Sequence, residues 1–184
     1  MTHLFEARED PDINSVWQWF EFQLGLIHEE QGRKLRILAS GAEIDVGPPG
    51  AHESPFIGLG PREVEEFFDE QAGYLELLAM FELLATTEAI LRIEFDARVK
   101  GRRKDSLSRR FRDAHKLRGE KIRLDDDILA ALKEAGVELG DFRGTLRLRH
   151  WLAHGRHWHP KLGRGYTPGD VLGIARELID SIPA

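Results

Sequence analysis

The 184-residue chain contains no cysteine, which excludes disulfides, thiol catalysis and cysteine-ligated zinc. Thirty-two acidic side chains against twenty-six basic ones give a net charge of −6, a balance that disfavours indiscriminate nucleic-acid binding. The opening residues Met1 to Glu6 lack the basic-then-apolar order of a signal peptide, and no apolar run approaches the roughly 18 residues of a membrane span. A single cytoplasmic domain over 1–184, without membrane attachment, is the expectation.

Asp10-Pro11 followed by Ile13, Val16, Trp17, Phe20, Leu24 and Ile27 predicts an amphipathic helix ending near Gly32. From Arg33 to Gly60 the breakers Gly47-Pro48-Pro49-Gly50, Ser54-Pro55 and Gly58-Leu59-Gly60 predict a long irregular insertion, with room for a short strand pair within Leu35–Val46. Pro61 then opens a helix that reaches Arg98, with a break or bend expected near Gly73, and Tyr74 to Leu91 is apolar almost all round, as suits a central helix. Leu107, Phe111, Ala114 and Leu117 mark a helix that ends at Gly119, and another is expected from about Asp125 to Ala135. The last helix is signposted by Thr167 as N-cap, Pro168 and Asp170. No β-alternation stands out, so the fold class is all-α, a helical bundle with a long irregular N-terminal insertion.

Charge is unevenly distributed. Arg98 to Arg123 holds twelve Lys/Arg against three Asp/Glu, leaving fourteen basic and twenty-nine acidic residues elsewhere. Such a block steers a polyanion to one locality, and Arg102, Arg103, Arg109, Arg110 and Arg112 are the residues expected to guide RNA, unless they form only a solvated surface.

The richest chemistry lies in Arg143 to Pro160, where four of the eight histidines fall between His150 and His159. With Asp141 as N-cap, a helix places Arg143, Arg147, His150 and His154 in one basic stripe, with Arg147 a further RNA contact. Arg149 projects instead into the apolar arc, which calls either for an ion pair with Glu82 or Glu88 of the central helix or for a guanidinium reserved for phosphate. Gly155 reads as the helix stop, a turn that could swing His154 toward Arg149. A metal site built from His150, His154, His157 and His159 competes on residue type, but the stretch has no glutamate for a His-Glu-x-x-His motif, so neither metal nor cofactor is expected.

Arg149-His150-Trp151-Leu152-Ala153-His154 resembles the Arg-polar-x3-His signature of the HEPN superfamily, the small α-helical domains named for higher eukaryotes and prokaryotes nucleotide-binding. The resemblance covers a core of about 61–184 and leaves the N-terminal helix and Gly/Pro-rich loop of 1–60 outside it. It implies a HEPN-type bundle and a metal-independent endoribonuclease that works as a symmetric homodimer. His154 would be the acid/base group, Arg149 the cation on the phosphoryl oxygens, and His150 a supporting group. It further implies a toxin or phage-defence setting with an antitoxin or regulatory partner. Toxins paired with a nucleotidyltransferase antitoxin carry a tyrosine two residues after the histidine, whereas Arg156 stands there in this chain. The alternative is a non-catalytic module that binds nucleotide, RNA or protein, with Trp151 and Trp158 on its contact surface.

Overall fold

The computed structural model describes residues 10–42, 55–119, 121–156, 159 and 161–183. The described residues are helical or irregular and contain no strand, so the chain is all-α. In order the helices are α1 (Ile13–Ala39), α2 (Pro61–Lys100), α3 (Ser106–Arg118), α4 (Ala130–Glu134), α5 (Gly140–Ala153) and α6 (Pro168–Asp180), with a π-helical turn at Leu124–Leu129 leading into α4. None of them is long and apolar enough to cross a membrane. The chain divides into two compact units, Trp17–Ala79 and the remainder, Met1–Val16 with Met80–Ala184, and the division runs through α1 and α2.

Helix α1 begins two residues later than Asp10-Pro11 implied. The cap is Asp12, whose carboxylate accepts hydrogen bonds from the backbone N–H groups of Asn14 (3.0 Å) and Ser15 (3.1 Å). The helix also outlasts Gly32 by seven residues, because Leu35, Ile37 and Leu38 pack on Phe56, Val64 and Phe68. That burial outweighs the roughly 1 kcal/mol that a mid-helix glycine costs. Residues 35–39 are therefore helical and not part of a strand pair; residues 43–46, the rest of that expectation, lie outside the described residues.

In the same unit Lys34 is buried. Its ammonium lies 4.8 Å from the Phe56 ring centroid and 3.5 Å from Glu30, which supplies the charge compensation a buried lysine needs. Phe56 stacks on Phe68 at 5.4 Å and meets Phe67 edge-on at 5.0 Å. Helix α2 runs its 40 residues without a break at Gly73, about 60 Å at 1.5 Å per residue. Nor is its Tyr74–Leu91 segment enclosed all round, since Tyr74 and Leu78 are exposed; from Ala79 to Leu91 every residue is buried or partly buried.

The larger unit is built on the second half of α2. Leu84, Thr87, Leu91, Phe95 and Arg98 recur at helical spacing and are all buried. The Thr87 hydroxyl donates to the Leu83 carbonyl at 2.7 Å, which satisfies it within the helix. Phe95 meets Phe111 of α3 with ring centroids 4.9 Å apart. Leu129 and Leu132, Phe142 and Leu148, and Val171, Ala175 and Leu178 are the buried faces of the π turn with α4, of α5, and of α6. The buried arginine of the unit is Arg98, only 1% exposed. It is paired with Glu94, donates to Asp105 at 3.1 Å, to Ser108 Oγ at 3.5 Å and to the Pro183 carbonyl, and so ties α2 to the start of α3 and to the C-terminus.

The expected helix from Asp125 opens with a π-helical turn, wider than an α-helix, before α4 continues it. Asp127 is the reason: its carboxylate accepts from the Arg123 backbone N–H at 2.8 Å and pairs with Arg118 at 2.7 Å, while the Ile128 N–H reaches back five residues to the Arg123 carbonyl. Helix α6 starts as its sequence requires, with a reciprocal capping box between Thr167 and Asp170.

Candidate functional site

Helix α5 presents its chemistry on a frame set by Phe142, Thr145 and Leu148, which face the core. The Thr145 hydroxyl donates to the Phe142 carbonyl at 2.7 Å. The helix begins at Gly140, with Leu139 as an N-cap that makes no side-chain bond. Asp141 therefore lies in the first turn and is not the cap. Gly144 is needed for a close approach: a Cβ there would lie 2.5 Å from the Tyr166 hydroxyl, so the segment leading to α6 rests directly on the α5 backbone. Arg164 covers the Tyr166 ring at 4.9 Å and lies 4.0 Å from Asp141.

The C-terminal end of α5 is closed by a Schellman arrangement. The N–H of Arg156 donates to the Trp151 carbonyl at 3.2 Å and that of Gly155 to the Leu152 carbonyl at 3.4 Å, with Gly155 at φ 75°. Gly155 thus stops the helix as its position implied, and Arg156 follows in the left-handed region at φ 58°. His154 occupies the C-cap position, exposed, and its ring contacts that of His150 with centroids 4.3 Å apart. Two imidazoles therefore sit side by side at an open helix end.

Arg149 does not lie deep in an apolar arc. Its side chain is 39% exposed, and its guanidinium meets Glu88 Oε2 of α2 at 3.0 Å. Glu88 is 16% exposed and takes a second cation, Arg92, at 2.8 Å on its other oxygen. The ion pair expected with Glu82 or Glu88 thus forms with Glu88. Arg149 Nε is shut from water without a hydrogen-bond partner, the same condition as Arg143 Nε.

Arg143, Arg147 and His150, three members of the basic stripe, line a cleft of about 860 Å³. Its other wall is formed by His159, Lys161 and Leu162, and Asp125, at the start of the π turn, contributes a carboxylate. Arg149 and His154 are not among its lining residues. Sequence reasoning weighed His159 only as a metal ligand and gave Lys161 and Asp125 no part. The available signal was the glycine stop itself, which turns the chain after α5 back so that its next basic residues can meet the same helix.

The basic block is divided in its roles. Arg112 is half-buried and holds backbone, donating to the carbonyls of Arg98 (3.3 Å) and Arg103 (2.8 Å). Arg110 is paired with Glu134, and Arg103 lies 3.8 Å from Glu94. Arg102 and Arg109 are exposed and show no ion pair among the described residues. None of the five lines the α5 cleft. Nor does any group of three His, Cys, Asp or Glu side chains come together among the described residues in a way that could hold a metal; His157 lies outside them, as does Trp158.

Compared with protein-family models, with curated proteins and with solved structures, the chain finds no match in any of the three.

Proposed function

We propose that this protein is a metal-independent endoribonuclease of HEPN type that cleaves RNA where the C-terminal ends of two α5 helices face each other in a homodimer. The observation that carries the reading is the open helix end at Gly155, where the exposed imidazoles of His150 and His154 touch at 4.3 Å on the same helix that carries Arg149, a guanidinium held by Glu88. In the reaction, an imidazole takes the proton of a ribose 2′-hydroxyl, the oxygen attacks the adjacent phosphorus, and the bond from phosphorus to the 5′-oxygen breaks. The leaving oxygen takes a proton, and the products are a 2′,3′-cyclic phosphate and a 5′-hydroxyl. His154 is the acid/base group, His150 supports or partners it, and Arg149 stabilises charge on the phosphoryl oxygens. Attacking and leaving oxygens lie roughly in line across phosphorus, so two imidazoles on one side cannot serve both. That geometry favours a second copy supplying the opposite side.

Arg102, Arg103, Arg109, Arg110 and Arg147 guide RNA toward the site, while Arg112 acts through the loop backbone it holds. A toxin or phage-defence role, with an antitoxin or regulatory protein as partner, belongs to the same reading. The test is cleavage of single-stranded RNA by purified protein with end-group analysis. Activity that yields cyclic phosphate, persists in EDTA and disappears in Arg149→Ala and His154→Ala supports it; activity unchanged by both substitutions refutes it. The Arg149–Glu88 pair favours a second reading, a non-catalytic RNA-binding or interaction module in which Arg149 is structural. On that reading RNA binds but is not cut.

A further inference from the structure

The walls of the α5 cleft are chemically lopsided. Among the described residues that line it, three basic side chains, Arg143, Arg147 and Lys161, and two imidazoles, His150 and His159, stand against the single carboxylate of Asp125, in a chain whose net charge is −6. These cations are not used up by the fold. Arg147 and Lys161 are exposed and have no ion pair among the described residues. The one acidic contact is loose: Arg143 Nε lies 3.5 Å from Asp125 Oδ1 and makes no hydrogen bond, with the two side chains 39% and 64% exposed. Arg149 on the adjoining face differs, since Glu88 engages it at 3.0 Å.

We infer that the cleft is a binding site for single-stranded RNA, with phosphates on Arg147 and Lys161, Arg143 behind them, and a base against Leu146, Leu162 and the imidazoles. The site extends past the proposed cleavage motif, because it assigns Arg143, His159 and Lys161, none of which belongs to Arg149–His154. Two features favour RNA over an acidic peptide. Arginine forks match phosphate oxygens in a bidentate way, and imidazole and leucine surfaces give an unstacked base a face to lie on, which a run of carboxylates does not need. The cleft, about 860 Å³ and open to solvent, has room for a nucleotide or more. Asp125 then acts as a placeholder, holding Arg143 until a phosphate takes its place.

The experiment is equilibrium binding of a fluorescent short oligouridylate, read by anisotropy in the His154→Ala chain so that cleavage cannot consume the probe. Arg147→Ala/Lys161→Ala is expected to weaken binding by roughly tenfold or more at about 50 mM salt. It should also flatten the plot of log affinity against log salt by about 1.4, at about 0.7 for each lost single-strand phosphate contact. The charge-keeping pair Arg147→Lys/Lys161→Arg should recover most of the affinity, and Asp125→Asn should tighten binding by removing the one like charge. Binding by the double alanine variant within twofold of its parent, with an unchanged circular dichroism spectrum, overturns the inference. If that variant unfolds, failure of Asp125→Asn to tighten binding does the same. Polyglutamate that displaces the RNA with the same dependence on these variants would identify an acidic-peptide site instead. Uridine 5′-monophosphate binding as tightly as the oligonucleotide would identify a mononucleotide site; either outcome sinks the RNA assignment. Binding at this site with no cleavage by the parent chain would count against the proposed nuclease alone, whereas cleavage with binding indifferent to Arg147 and Lys161 would count against this site alone.

Discussion

Arg149 carries both a structural and a catalytic interpretation, and the two predict different numbers. The pair with Glu88 at 3.0 Å joins a side chain 39% exposed to one 16% exposed, so solvent screening keeps its worth near that of a surface pair, about 0.5–1 kcal/mol. Removing Arg149 does not strand Glu88, which retains Arg92 at 2.8 Å. Arg149→Ala should therefore destabilise by only about 1 kcal/mol, a fall of about 2–4 °C in melting temperature for a chain of this length. Against an ordinary stability of about 5–15 kcal/mol, such a loss leaves nearly all molecules folded, so a purely structural arginine could be removed with little effect on turnover. A guanidinium that stabilises the transition state should cost about 10²–10³ in rate when removed. Glu88→Gln is the complementary change, because it keeps the side-chain volume but releases the guanidinium from its counter-charge. It should destabilise by about 1–2 kcal/mol, since Arg149 Nε is already short of an acceptor, while tightening RNA binding. Thermal melts and cleavage assays on the two single variants and the double variant complete a cycle whose stability coupling should be about 0.5–1 kcal/mol. Arg149→Ala with less than a twofold loss of cleavage would refute the catalytic assignment. Destabilisation above about 3 kcal/mol, with activity tracking the folded fraction, would refute the estimate of the pair.

Three further expectations concern the frame that holds α5. Arg98→Met should lower stability by about 2–4 kcal/mol in urea unfolding, below the full cost of breaking a buried ion pair because Glu94 and Asp105 are 30% and 32% exposed and can regain water; a loss under about 1 kcal/mol would contradict its role as a tie between α2, α3 and the C-terminus. The Asp105 carboxyl is held down to about 2, chiefly by hydrogen bonds from the side chain and backbone of Ser108 and then by Arg98. Between that value and the ordinary 3.8 the folded chain binds fewer protons than the unfolded one, so its contribution is complete above about pH 4 and vanishes as pH falls through 2. The melting-temperature gap between the parent and Asp105→Asn should accordingly close over that window, and a constant gap would exclude the assignment. Gly144→Ala should gain nothing in the parent, where its methyl meets the Tyr166 hydroxyl, but should stabilise by up to about 1 kcal/mol in a Tyr166→Phe background; equal effects in both backgrounds would show that Tyr166 does not rest on α5.

What the sequence made legible follows local rules. The Thr167 cap, the stop at Gly155 and the α3 boundary at Gly119 depend on residues within one turn, and each lies where its chemistry puts it. What escaped depends on partners far away in sequence. Gly32 looked like an end only because the packing of Leu35 and Leu38 on Phe56 and Val64 cannot be seen from α1 itself. The buried arginine was sought at Arg149, on the strength of one helix's circumference, when the period Leu84, Thr87, Leu91, Phe95 placed Arg98 on the inner face of α2 all along. The cleft escaped for the same reason, since Asp125 and Lys161 meet the α5 stripe only after the chain has turned at both of its ends.

The two faces of α5 differ in how their cations are paired, and this bears on how an acidic protein would hold the RNA proposed for it. Arg149 and Arg92 share the carboxylate of Glu88, so the guanidinium of the motif already has a counter-charge before a phosphate approaches. The stripe side keeps Arg147 and Lys161 without ion pairs among the described residues and leaves Arg143 only a 3.5 Å contact with Asp125. A polyanion approaching a chain of net charge −6 is repelled broadly and attracted locally, so the free cations of the cleft, more than Arg149, should determine where it first lodges. In the proposed reaction Arg149 would have to exchange Glu88 for a phosphoryl oxygen, a swap that is nearly neutral in the ground state and gains only as charge accumulates on phosphorus. An arginine held this way contributes little to binding and much to the barrier, so the cleft variants should change Kd while Arg149→Ala changes kcat.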